Sequence, residues 1–126
     1  MKAVHHIAII AGDYERSKKF YTEVLGMEIV REVYRQERDS YKLDLALDGH
    51  YIIELFSFPG APQRPSRPEA QGLRHLAFAV DDLDREVYRL KQKAVELEEI
   101  RIDPYTGKRF TFFADPDGLP LELYEI

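Results

Sequence analysis

His6-Ile-Ala-Ile-Ile-Ala-Gly-Asp13-Tyr-Glu-Arg16 lies near the start of the chain, and His75-Leu-Ala-Phe-Ala-Val-Asp-Asp82-Leu-Asp-Arg85 restates its plan in the second half. One constant shift lays His6 on His75, Ile7 on Leu76, Ala8 on Ala77, Asp13 on Asp82, Glu15 on Asp84 and Arg16 on Arg85. The same shift lays Asp48-Gly49 on Asp117-Gly118. Glu54 then meets Glu122 only after the second copy loses one residue between its Asp-Gly turn and its glutamate. A repeat of this length sets the architecture before any single residue does.

Outward from the two histidine segments, each copy reads as strand, helix and three strands. Val4 to Ile10 is apolar and β-branched apart from its histidines, and Gly12-Asp13 ends the strand and caps a helix. Phe20, Tyr21, Val24 and Leu25 recur at helical spacing, and Gly26 stands where a left-handed residue stops the helix. Met27 to Tyr34, Tyr41 to Leu47 and Tyr51 to Phe58 read as strands, the last two joined by the Asp48-Gly49 hairpin. Pro59, Pro62, Pro65 and Pro68 interrupt the chain next, since proline continues neither a helix nor a central strand. The second copy gives a strand over Leu73 to Val80 and a helix capped by Asp82, with Leu83, Val87, Leu90 and Ala94 on one face. Strands near Leu97 to Ile102, Arg109 to Ala114 and Leu119 to Glu125 follow, the last entered through the turn Asp115-Pro-Asp-Gly118. The expected organisation is module 1 over 1–58, a linker over 59–72 and module 2 over 73–126, in a single α+β domain of two βαβββ modules.

Composition narrows the function. Each copy alone is too small to bury an ample core, so the modules share an interior or lend elements to a second chain. The 18 basic and 23 acidic residues, for a net charge of −5, are interspersed, which argues against a nucleic-acid partner that needs a basic face. There is no cysteine, so any metal takes nitrogen and oxygen donors. No segment has the length and apolarity of a membrane span or a secretory leader, and a cytoplasmic location without a membrane partner is the expectation.

Alternation along a strand puts His6 on one face with Val4, Ala8 and Ile10, and His75 with Leu73, Ala77 and Ala79. The bulkier opposite faces should pack on the helices, while the alanines leave room beside each imidazole. Glu54 lies among Ile52, Ile53, Leu55 and Phe56, and Glu122 between Leu121 and Leu123. An ionised carboxylate in such a strand costs several kcal/mol if buried unpaired. A divalent cation would offset two of them, and two imidazoles complete a set suited to Zn, Ni, Co or Mn. Singly, a strand histidine is more often structural and a strand glutamate more often solvated; two of each at corresponding positions make the ligand reading the stronger one. His5 is a rival to His6 but shares the Ile7 and Ile9 face, and His50 follows a turn.

These residues resemble the vicinal oxygen chelate superfamily, which includes glyoxalase I, extradiol dioxygenases, methylmalonyl-CoA epimerase and fosfomycin- and bleomycin-resistance proteins. The resemblance spans the chain through His6-Ile-Ala-Ile, Asp13-x-x-Arg-Ser17-x-x-Phe-Tyr21, Leu25-Gly26, Ile53-Glu54-Leu55, Gly72-x-x-His75-Leu-Ala-Phe and Asp115-Pro-Asp-Gly-x-x-x-Glu122. It implies paired modules forming a curved, partly open mixed β-sheet barrel around one divalent metal held by His6, Glu54, His75 and Glu122. It also implies a homodimer and a small-molecule substrate. Epimerase members commonly carry glutamine where Glu54 stands, so Glu54 tilts the likeness toward glyoxalase I and a lactoylglutathione lyase-like isomerisation. In that chemistry the ion holds two adjacent substrate oxygens, and the ligand carboxylates shuttle a proton, Glu122 as base with Glu54 opposite it. Two departures concern the substrate. Ile10 replaces an arginine that in bacterial glyoxalase I helps hold the glutathione carboxylate, and Phe58 replaces an asparagine. Arg109, followed by Lys108 and Arg35, is the expected anchor for a substrate carboxylate, with Arg38 and Arg64 as further candidates. The alternatives are an iron-dependent dioxygenase with His6, His75 and Glu122 as a facial triad, a binding protein of the bleomycin-resistance kind, and thiol transfer of the fosfomycin-resistance kind.

Overall fold

A computed structural model describes residues 1–126. Contacts divide the chain into two units, Met1–Gln63 and Arg64–Ile126, so the boundary falls inside the proline-rich segment.

In the first unit β1 (Ile7–Ala11) leads to α1 (Tyr14–Lys19), and β2 (Glu28–Arg35), β3 (Ser40–Leu47) and β4 (His50–Ser57) complete an open four-stranded sheet in the order β1-β4-β3-β2. In the second, β5 (Leu76–Val80), α2 (Leu83–Gln92), β6 (Arg101–Ile102), β7 (Arg109–Ala114) and β8 (Pro120–Glu125) give the order β5-β8-β7-β6. β1 runs parallel to β4 and β5 parallel to β8, while every other pairing is antiparallel. The two expected βαβββ modules are thus both present. No helix is long and apolar enough to cross a membrane.

The caps and turns follow from local chemistry. The Asp13 carboxylate accepts the Arg16 N–H at 3.1 Å and Asp82 accepts that of Arg85 at 3.0 Å, satisfying donors that a helix start leaves open. Beyond Lys19 the first helix widens into a π-helical turn over Phe20–Val24, and Leu25 N–H reaches the Phe20 carbonyl at 3.0 Å. Tyr21, within that turn, is fully buried, and Gly26, at φ +80°, ends the element. Asp48 and Gly49 both adopt positive φ, the geometry of a two-residue hairpin turn that matches strand twist.

Three expected boundaries shift. Both histidine strands begin after their histidines, at Ile7 and Leu76. α2 stops at Gln92, and Ala94 sits beyond it at φ +60° in a left-handed C-cap, exposed and off the packed face. β6 keeps only two residues, although Glu98 upstream of it still donates its N–H to the Phe112 carbonyl at 2.8 Å and accepts the Thr111 hydroxyl at 2.7 Å.

Each sheet buries one face against its helix. In the first unit Ile9, Leu43, Leu45, Ile53 and Leu55 are buried with Tyr14, Tyr21 and Met27; in the second, Leu121, Leu123 and Phe113 are buried with Leu83 and Leu90. Ile9 is 8% exposed and its neighbour Ile10 52%, which shows the alternation directly.

A polar latch ties α1 to β2. The buried Tyr14 stacks on Tyr41 at 4.5 Å and its hydroxyl donates to Glu32, while Lys18 Nζ lies 2.7 Å from the same carboxylate. The Lys18 and Tyr14 hydrogen bonds hold the Glu32 carboxyl below its ordinary value. A depressed carboxyl adds stability that is complete above its unfolded pKa, about 4.3, and fades as pH falls through the lowered folded value. Tyr14→Phe is expected to destabilise the protein by about 1.5 kcal/mol at neutral pH. Urea unfolding near pH 3 should show a smaller deficit, because protonated Glu32 is the weaker acceptor.

Candidate metal and substrate site

The parallel pairings create two matching half-sites. Ala8 lies opposite Glu54 in the β1/β4 register, and Ala77 opposite Glu122 in β5/β8. Two residues before each alanine, on the same side, stands a histidine. His6 Nε2 is 2.9 Å from Glu54 Oε2, and His75 Nε2 is 3.0 Å from Glu122 Oε2. Both glutamate side chains are nearly closed to solvent, at 12% and 11%. The four expected ligands are thus brought together as two pairs, one in each module. No three histidine, cysteine, aspartate or glutamate side chains gather as a metal-holding group.

A bulge reconciles the unequal copies. In β3/β4 the register slips between Leu45 and Ala46, so that Tyr51 and Ile52 together span Ala46, whereas β7/β8 runs without a slip. The extra residue of the first copy is absorbed there. Without it Asp44 would oppose Ile53, and Glu54 would turn to the helix-bearing face. With it Glu54 opposes Asp44 as Glu122 opposes Phe112.

That pairing makes the half-sites chemically unequal. Lys42 and Asp44 share the Glu54 face, and Lys42 Nζ lies 2.7 Å from Glu54 Oε1 and 2.5 Å from Asp44 Oδ1. Burial works to lower the Lys42 pKa, but the hydrogen bonds and charges of Asp44 and Glu54 outweigh it and raise the value. The His6 ring stacks on Tyr51 at 5.3 Å, and the Tyr51 hydroxyl donates to Asp44 at 3.3 Å. Burial first, then the Asp44 and Glu54 charges, push that hydroxyl's pKa up. The second half-site has aromatic residues instead. Phe110 and Phe112 take the places of Lys42 and Asp44, His75 meets the Phe112 ring edge-on at 5.1 Å, and Phe110 stacks on Tyr124.

The donor set fits a divalent ion. Each half-site offers one imidazole and one carboxylate, donors that a borderline metal takes, and separations of 2.9 and 3.0 Å suit neighbouring ligands on an ion with bonds of about 2.1 Å. Arg74 donates to His75 Nδ1 at 3.0 Å, which places the ring proton on Nε2 toward Glu122. An ion taken at Nε2 requires that proton to move to Nδ1 and the exposed Arg74 to swing aside. His5, the rival, is exposed; its ring meets His6, at 2.8 Å between Nδ1 atoms, and the Tyr51 ring edge-on at 5.5 Å, and it reaches neither glutamate.

The expected anchors separate. Arg109 lies on the helix-bearing face, opposite to Glu122, with Nε and Nη2 on Glu125 at 2.9 and 2.7 Å and Nη1 on Asp84 at 3.0 Å. Those bonds hold the Glu125 carboxyl below its ordinary value. Arg109 is therefore a tie between β7, β8 and the start of α2, which corrects the expectation of a substrate anchor. Lys108 is exposed on the turn before β7. Arg64 is spent on Ser66 and the Leu73 carbonyl. Arg35 alone of the three chosen anchors lies on a glutamate face: it pairs with Ser40, which alternates with Lys42 and Asp44, and stacks on Phe56. Sequence reasoning missed Lys42, Asp44 and Tyr51. The signal was the alternation of Lys42 and Asp44 with Leu43 and Leu45.

The chain belongs to the Glyoxalase/Bleomycin resistance protein/Dioxygenase superfamily, whose family model matches residues 3–123. Members of this superfamily typically bind a metal. Among its relatives, protein YaeR of Escherichia coli (strain K12) is 67% identical over 125 residues, covering 99% of this chain and 97% of that one. The lactoylglutathione lyase of Salmonella typhimurium is 31% identical over 128 residues, with 95% and 90% covered. The crystal structure of a glyoxalase family protein from Enterococcus faecalis superposes with a TM-score of 0.91 at 49% identity, over 98% of each chain.

Proposed function

We propose that this chain is a metal-dependent, glyoxalase I-like lyase that isomerises a small adduct of a 2-oxoaldehyde. His6, Glu54, His75 and Glu122 would hold one Zn, Ni, Co or Mn ion, completed by pairing of modules in a homodimer, within or between chains. The observation that carries this reading is the repeated histidine–glutamate pair, at 2.9 and 3.0 Å, in two half-sites built by the same parallel pairing. The bound ion supplies Lewis acidity toward two adjacent substrate oxygens. Glu122 takes the proton from the neighbouring carbon and Glu54 stands as its counterpart. The nearly closed carboxylates and the Phe110, Phe112 wall keep water away from that proton. Metal analysis of protein purified without chelator should find near-stoichiometric divalent ion, and methylglyoxal hemithioacetals should be turned over. Absence of bound ion would remove the reading.

One observation favours a second reading. Lys42 already occupies Glu54 Oε1, and a glutamate so held leaves His6, His75 and Glu122 as the facial triad of an iron-dependent dioxygenase. Oxygen uptake after anaerobic ferrous loading would select it.

Lys42 also yields a stability prediction. In Lys42→Met the Asp44 and Glu54 carboxylates face each other with no shared cation. The metal-free variant should lose about 1–2 kcal/mol, a figure discounted for the partial exposure of Lys42. Added Zn should then raise its melting temperature more than it raises that of the wild type, since the ion takes over the counter-charge. Calorimetry with and without metal checks this.

A further inference from the structure

We propose that Arg35 and Arg38 form a carboxylate-binding subsite on the Glu54 face of the first module. The Arg35 guanidinium lies over two rings, 4.9 Å from the centre of Phe56 and 5.6 Å from that of Phe58, and Arg38 lies over Phe58 at 5.2 Å. Phe56 follows Glu54 by two residues on the same face, so the subsite begins about 7 Å along the strand from that carboxylate. Phe56 and Phe58 stack on each other at 5.5 Å and provide one continuous platform for both cations.

Three features separate this pair from ordinary surface arginines. First, neither takes part in an ion pair, although the chain carries 23 acidic residues against 18 basic ones. Arg101 makes the informative contrast: it stacks on Phe110 and Phe112 in the same way but is bonded to Glu98 at 3.0 Å. Second, Arg35 is held in place. Its Nη2 donates to the fully buried Ser40 hydroxyl at 3.1 Å, which in turn donates to the Tyr41 carbonyl. Third, Arg35 Nε is the one buried side-chain polar atom without a hydrogen-bond partner. A cation desolvated on its inner edge and unpaired on its outer one is costly to keep for stability alone. An oxyanion on the outer edge offsets that cost, and a planar carboxylate matches the fork of a guanidinium fixed by stacking. The inferred substrate therefore carries a carboxylate away from its reacting carbon. The subsite rests on the proposed function only for the identity of that reacting centre.

The test uses the full-length protein as purified and again after chelator dialysis, following the arginine Nε–H signals by NMR during titration with benzoate, benzamide or inorganic phosphate. Benzoate is expected to move the Arg35 signal saturably in both samples and benzamide to leave it in place. Arg38→Gln should weaken benzoate about tenfold, and Arg35→Gln, followed through the Arg38 signal, by at least about as much. Arg35→Lys should recover only part of the affinity, because it restores the charge without the fork. Equal shifts from benzamide, no saturation with benzoate, or unchanged affinity in Arg38→Gln would overturn the subsite. Phosphate binding more tightly than benzoate would overturn the carboxylate assignment. Because the dialysed sample contains no ion, failure of the metal reading shows in the metal content and failure of this one in the titration.

Discussion

Glu122→Gln is expected to lower kcat on a methylglyoxal hemithioacetal by about a thousandfold or more while leaving most of the bound metal in place. Removing a positioned general base typically costs two to four decades in rate, and Glu122 has no substitute nearby. Its pairing partner across β7 is Phe112, and its polar contact is His75 at 3.0 Å. Glutamine keeps the shape and one oxygen for the ion, so metal content by elemental analysis should fall modestly and the unfolding midpoint should change little. The distinguishing result is the split between turnover and metal. If both vanish together, Glu122 acts only as a ligand. If turnover survives intact, the proton is taken elsewhere. Glu54→Gln is the internal control: Lys42 engages Glu54 Oε1 at 2.7 Å, which ties up one of its two basic oxygens, and the rate loss should be the smaller of the two.

The inequality of the two glutamates was the part of the site least visible in the sequence. The repeat, the caps at Asp13 and Asp82, the left-handed Gly26 and the Asp48-Gly49 turn are local chemistry, and each forms as the residues dictate. Strand alternation also placed Ile9 in the core and Ile10 outside it. The bulge at Tyr51 and Ile52 is different in kind. Counting back from a two-residue hairpin puts Asp44 opposite Ile53, and only the slip between Leu45 and Ala46 brings Asp44 and Lys42 beside Glu54. The missing residue in the second copy was its trace, legible as a shift between copies but not as a change of neighbours. Arg109 misled for a related reason. Its partners Asp84 and Glu125 lie far from it in sequence, and a strand arginine after a glycine turn looks alike whether it faces substrate or a helix start. The widening at Phe20–Val24 and the end of α2 at Gln92, before the left-handed Ala94, break a helical period that apolar spacing alone would have continued.

His6→Ala and His75→Ala should each reduce metal affinity by about a hundredfold or more, since each removes one nitrogen donor and leaves its glutamate, nearly closed to solvent, without the imidazole. Stability in the absence of metal should fall less in His6→Ala than in His75→Ala, because Lys42 still offsets Glu54 whereas Glu122 loses its one polar partner. Metal titration and calorimetry on the two variants measure both effects. Mixing them then reports how the modules pair. If a half-site from one chain meets its counterpart in another, a mixed dimer of His6→Ala and His75→Ala chains contains one centre with both defects and one with neither, and an equimolar mixture, about half of it mixed dimers, returns toward about a quarter of the wild-type activity. If the halves pair within a chain, every centre keeps one defect and the mixture stays as inactive as its components. Either outcome requires the histidines to act in pairs drawn from the two modules. Full activity in either single variant would show that they do not.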